Sequence, residues 1–139
     1  MKGLIYASIA VAAVLAVHQA HSQSIIIANP SVKSAQVSTN EIRDVFSGSA
    51  STLKDGSHVT PVLLKQGAAH EAFLSAYLGK SDSAFRAAWR NLVFTGNGSM
   101  PKSFDSEAAL VEFVEHNPGA IGYIGSGTPH EGVKVIAVK

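Results

Sequence analysis

The sequence predicts an α/β domain: a mixed, mostly parallel sheet of about four strands flanked by about four helices. Three observations predict it. Short β-branched runs recur at Ile25–Ile27, Val59–Leu64, Ala120–Ile124 and Val133–Val138. Between them lie stretches whose apolar residues return every three or four positions, the helical period. The composition, 46% hydrophobic and 15% charged over 139 residues, gives enough apolar material for one core and predicts a single domain.

Each element has a local reason. Ser24–Ala28 is a continuous apolar run that suits a strand covered on both faces, and Asn29-Pro30 stops it. Ser38-Thr39-Asn40-Glu41 spells a capping box, in which the Ser side chain and the Glu side chain each satisfy a backbone N–H. The helix behind it places Ile42, Val45 and Phe46 on one face and ends at Gly48. After the Asp55-Gly56 turn, Val59–Leu64 reads as the second strand, with the Pro61 nitrogen facing away from a ladder bond. A helix over Ala68–Leu78 follows, with Ala69, Phe73 and Tyr77 inward and Gly79 as its stop. Ser81 or Asp82 caps a third helix carrying Phe85, Trp89 and Leu92, a core stripe. Phe94–Lys102 reads as a loop; Asp105 or Ser106 caps a fourth helix with Leu110, Phe113 and Val114 inward. Two strands, Ala120–Ile124 and Val133–Val138, close the chain around the loop Gly125–Gly132.

Residues 1–22 have the three regions of a secretory leader: Lys2, an apolar run over Leu4–Val17, and small Ala20 and Ser22 before a cut. The run is short of the roughly 20 residues that span a bilayer. The expectation is a signal peptide over 1–22, cleavage near Ser22, and a mature domain over 23–139 in the periplasm or secreted. No Cys is present, which excludes a disulfide framework, a thiolate metal site and a Cys nucleophile. A net charge of +1 without a basic stripe makes nucleic acid a poor partner and leaves no reason for membrane insertion after cleavage.

Tests for chemistry come out mostly empty. No Gly-Lys-Ser/Thr closes a phosphate loop, and Gly122–Gly127 reads as a turn rather than a dinucleotide fingerprint. His58, His70, His116 and His130 have no metal-ligand spacing, so no metal and no cofactor is expected. No serine elbow exists: Ser99 sits in a soft loop, and Glu112 and Glu115 project from one exposed helix side. The chain offers no coherent catalytic site. The one suggestive feature is Lys65-Gln66-Gly67-Ala68-Ala69-His70, a strand-to-helix junction where helix N–H groups, the Lys65 charge and a His70 donor could face an anion. The same residues also read as an ordinary βα turn with Ala for close packing. In a parallel sheet, Asn29 and Ser31 after the first strand would gather at the same edge.

Glu41-Ile42-x-x-Val45-Phe46-x-Gly48, the helix from Phe73 to Tyr77-Leu78-Gly79, and Pro118-Gly119-Ala120-Ile121-Gly122-Tyr123 resemble motifs of the periplasmic phosphate-binding proteins of ABC importers. Asn29, Asp55-Gly56, Trp89 and Phe94-x-Gly96 before Pro101 match as well. The resemblance spans Ile25–Val138 and implies a single lobe of periplasmic-binding-protein type. It implies phosphate or a similar small oxyanion as ligand, with Lys65, Gly67, Ala68, Ala69, His70, Asn29 and Ser31 as candidate contacts. A second copy or an envelope protein would complete the site. The family loop Arg-x-Asp-Gly-Ser-Gly-Thr keeps only Gly67 here; Ala68 stands for the Ser, Ala69 for the second Gly and His70 for the Thr. The alternative is a non-catalytic accessory protein of the cell envelope that has lost its ligand.

Overall fold

The computed structural model describes residues 23–139; the expected leader, residues 1–22, lies outside the described residues. Ser24–Ala28 forms β1, the middle strand of a five-stranded sheet. Around it stand β2 (Gln36–Val37), β3 (Thr60–Pro61), β6 (Ala120–Gly125) and β7 (Lys134–Val138), in the order β2-β7-β1-β6-β3. A separate two-stranded piece joins β4 (Leu63–Leu64) to β5 (Ser103–Phe104). The helices are α1 (Thr39–Phe46), α2 (Ala68–Phe73), α3 (Asp82–Phe94) and α4 (Glu107–His116); α2 runs on into a π-helical turn, Leu74–Leu78.

The sheet is mixed, as expected, but its longest pairings are antiparallel. β1 runs against both β6 and β7, while β2–β7, β3–β6 and β4–β5 are short parallel pairs. Alternation of strands and helices along the chain signals crossovers, not which strands become neighbours. Here β1 is inserted between two later strands that both run opposite to it.

Local signals hold where they depend on few residues. Ser38 and Glu41 make both bonds of the capping box. Ser81 and Ser106, rather than Asp82 and Asp105, cap α3 and α4. Gly79 ends the π turn in the left-handed region. The second strand, expected unbroken over Val59–Leu64, instead passes between the two sheets. The N–H groups of Thr60 and Val62 bond to Gly119 and Ile121, and those of Leu63 and Lys65 bond to Lys102 and Phe104 on the other side. Alternate amides of one strand face opposite ways, so Pro61 falls on the side where β5 has not yet begun and no ladder bond is lost.

β6 is buried along its whole length because helices cover both of its faces. Gly122 faces α4, where a Cβ would stand 2.9 Å from Leu110 Cδ2; the close approach requires glycine. Tyr123, one residue on, points to the opposite face and stacks on Phe73 of α2, ring centroids 3.9 Å apart. Phe46 of α1 meets both rings edge-on. These aromatics, with Ile26, Ile27, Ile42, Leu74 and Leu110, belong to one continuous core. No helix among the described residues is long and apolar enough to cross a membrane.

Candidate functional site

The turn Lys65–Gly67 carries the chain from β4 into α2. Gly67, at φ +108°, lies where only glycine is comfortable, and open space surrounds its Cα. The first bond of the helix runs from Glu71 N–H to Gly67 O at 3.0 Å. The N–H groups of Ala68, Ala69 and His70 therefore have no acceptor within the described chain, as at any helix start. Lys65 Nζ lies 3.2 Å from Asp105 Oδ1, and both side chains are exposed. Ala68 is exposed, while Ala69 packs inward towards Gly125.

His70 does not face this turn. Its side chain is 1% exposed and both ring nitrogens are taken: Nδ1 lies 2.5 Å from Tyr123 Oη, and Nε2 lies 2.6 Å from Asp82 Oδ1. Leu64 N–H already donates to Tyr123 Oη at 3.0 Å. The phenol hydrogen is therefore assigned to Nδ1 and the imidazole hydrogen, on Nε2, to Asp82. Arg86 closes the chain, with Nε 3.0 Å from each Asp82 oxygen and one Nη donating to Lys65 O at 2.7 Å. Partial burial pulls the Asp82 carboxyl upward, but the hydrogen bonds from His70 and Arg86 outweigh it and hold its pKa below the ordinary carboxylate value. Burial pushes the Tyr123 phenol far above its ordinary value.

The expected donation from the His70 imidazole to an anion is thus corrected. Asp82, His70 and Tyr123 have the order of acid, imidazole and hydroxyl that activates a nucleophile. Tyr123 is 0% exposed beneath Phe73, so its hydroxyl meets no substrate, and the network fixes α2 to β6 and α3 instead.

Asn29 and Ser31 are corrected too. They sit at the other end of the sheet, because β1 is antiparallel to β6: Ala28 pairs with Ile121, whereas Gly125 lies beside Ala69. At about 3.3 Å per residue the two ends are roughly 15 Å apart. Asn29 Nδ2 donates to Val114 O and Glu115 O at the end of α4, and its Oδ1 accepts from Ser31 N–H. Ser31 Oγ accepts from Gly119 N–H. Both residues lock the entry to β6. The glycine-rich loop after β6 does lie on the Gly67 side, pinned by Glu107 Oε1, which accepts from Gly125 N–H and from Thr128 Oγ1.

Sequence reasoning missed Tyr123, Asp82 and Arg86 as partners of His70. A single phenol in a fully apolar strand was one usable signal; an Asp and an Arg four apart at a helix start were the other. Among the described residues no cluster of three or more His, Asp or Glu could hold a metal.

By sequence, the chain matches no protein-family profile and no curated protein. By structure it is similar to receptors for phosphate. An ABC-type phosphate transport receptor from Vibrio cholerae superposes with a TM-score of 0.63 at 15% identity, over 84% of this chain and 46% of that one. A phosphate ABC transporter substrate-binding protein from Clostridium perfringens, solved with bound phosphate, gives 0.64 at 16% identity, over 84% and 44%. PstS from Borrelia burgdorferi gives 0.55 at 15% identity, over 84% and 47%. The chain has the fold of these substrate-binding proteins and spans less than half the length of each.

Proposed function

We propose that this chain is a non-catalytic, receptor-like lobe that binds phosphate or a similar small oxyanion at the Lys65–Ala69 turn. The Lys65 ammonium and the N–H groups of Ala68, Ala69 and His70 are the donors; the His70 ring, Asn29 and Ser31 take no part. The observation that carries the reading is the set of helix-start N–H groups that no acceptor in the described chain takes, beside Lys65, on the fold of phosphate receptors. Binding is weak, because Ala68 and Ala69 bring no hydroxyl and Asp105 competes for Lys65. Each missing bond to a charged group forgoes about 1.5–3 kcal/mol. The chain is exported on a leader over 1–22, cleaved near Ser22, and works in the periplasm or outside the cell.

Calorimetric titration of phosphate into phosphate-free protein at low salt tests this. Saturable heat in the millimolar range is expected, weakened in Lys65→Ala and strengthened in Asp105→Asn. No heat up to millimolar phosphate, or affinity indifferent to both changes, would retire the reading. The second reading, an accessory protein that docks on another envelope component, is favoured by an aromatic at the end of α3: Phe94 is 92% exposed.

A further inference from the structure

Phe94 is the most exposed large hydrophobic residue among those described, and Val93 beside it is 42% exposed. Arg90, one turn earlier on the same helix face, is exposed and makes no ion pair among the described residues. From Ala87 to Pro101, the end of α3 and the loop after it, Arg90 is the single charged residue. This end of α3 is an aromatic knob with a positive flank.

Elsewhere the surface carries the counterpart. A groove of about 390 Å³ runs along α4, lined by Phe104, Ala109, Glu112, Phe113, His116 and Asn117. The rings of Phe104 and Phe113 form its apolar wall, with centroids 5.2 Å apart. Lys102 Nζ sits 5.0 Å above the Phe113 ring, and Glu112 is exposed without an ion pair among the described residues. The chain's own Phe94, almost wholly in solvent, does not fill this groove.

We infer that a second copy of this chain is the occupant: Phe94 of one molecule enters the α4 groove of the next, with Arg90 set against Glu112. Knob and groove are different surfaces, so the contact is head-to-tail and propagates as a ring or a short filament. One Phe buries roughly 150–250 Å², far less than a standard permanent interface. The association is therefore weak and concentration-dependent. It stands apart from the oxyanion reading, although Phe104 in the groove precedes Asp105, the partner of Lys65, so each docked copy lies beside that turn.

The test is sedimentation of the protein, expressed with its own leader and purified, from micromolar to millimolar concentration. Mass should rise with concentration, and Phe94→Ser or Ala109→Arg alone should hold the chain monomeric. Mixing these two variants should restore a one-to-one species, because the mixture keeps one intact knob and one intact groove. Should Ala109→Arg lower the unfolding midpoint, Glu112→Lys at an exposed position replaces it, and Arg90→Glu combined with Glu112→Lys in one chain should recover association. A parent chain that stays monomeric, a Phe94→Ser variant that associates like the parent, or a mixture that stays monomeric would overturn the inference. Binding of that monomer to an acidic peptide or to anionic vesicles would then identify another occupant.

Discussion

The two ends of the sheet each bury one polar side chain, and they satisfy it in opposite ways. Asn29, 7% exposed, bonds only to backbone: two carbonyls of α4 and the N–H of Ser31. His70, 1% exposed, bonds only to side chains, Tyr123 and Asp82, and through Asp82 to Arg86. A backbone-satisfied amide has no titrating partner and its stabilisation is constant across pH. The side-chain network includes a carboxylate and depends on its charge. One end is a fixed clamp; the other is an electrostatic assembly beneath the Lys65–Ala69 turn.

The largest effect should come from breaking the side-chain end at its centre. Tyr123→Ala removes a core aromatic, which costs about 3–5 kcal/mol, and leaves Leu64 N–H and His70 Nδ1 without partners at about 1–3 kcal/mol each. Denaturant titration should find the variant largely unfolded, since domains of this size hold only about 5–15 kcal/mol. A midpoint near that of the parent would mean the phenol network is not what holds α2 to β6.

Breaking the backbone end should cost less. Asn29→Ala strands the buried Val114 carbonyl, at about 1–3 kcal/mol, while the part-buried Glu115 carbonyl and Ser31 N–H can turn to water. That loss should be the same at neutral and at acid pH. A pH-dependent loss would show that the two ends are coupled.

The smallest effect sharpens the contrast. Asp82 has a lowered folded pKa, so its contribution is fully present above the ordinary carboxylate pKa and is lost as pH falls through the lower, folded value. Asp82→Asn should flatten that acid limb of the stability profile and leave the profile of the Asn29 end untouched. An unaltered limb, followed by thermal unfolding at stepped pH, would remove Asp82 from the network.

What was legible in the sequence was local. The Ser38–Glu41 box and the Gly79 stop need only neighbours a few residues away, and β1 needs only its own apolar run. The two-residue strands β2 and β5 exist because a partner lies alongside, so no periodicity announces them. The sequence offers His70 as a donor to an anion, and nothing nearby opposes it, because Tyr123, which turns it inward, is 53 residues further on. Placing Asn29 and Ser31 with Gly67 assumed parallel neighbours, and the antiparallel β1–β6 pairing sends them to opposite ends.

The π turn after α2 has a consequence for descent. Gly79 N–H reaches back five residues to Leu74 O, one more than an α-helix uses. The helix thus holds one surplus residue, with exposed Ser75 and Ala76 in the widened turn. A relative that lost a single residue there would restore a regular α-helix and still bring Gly79 to its stop. Ancestral insertion or deletion at this point is cheap, and residue matching between this chain and distant relatives can slip by one on crossing it.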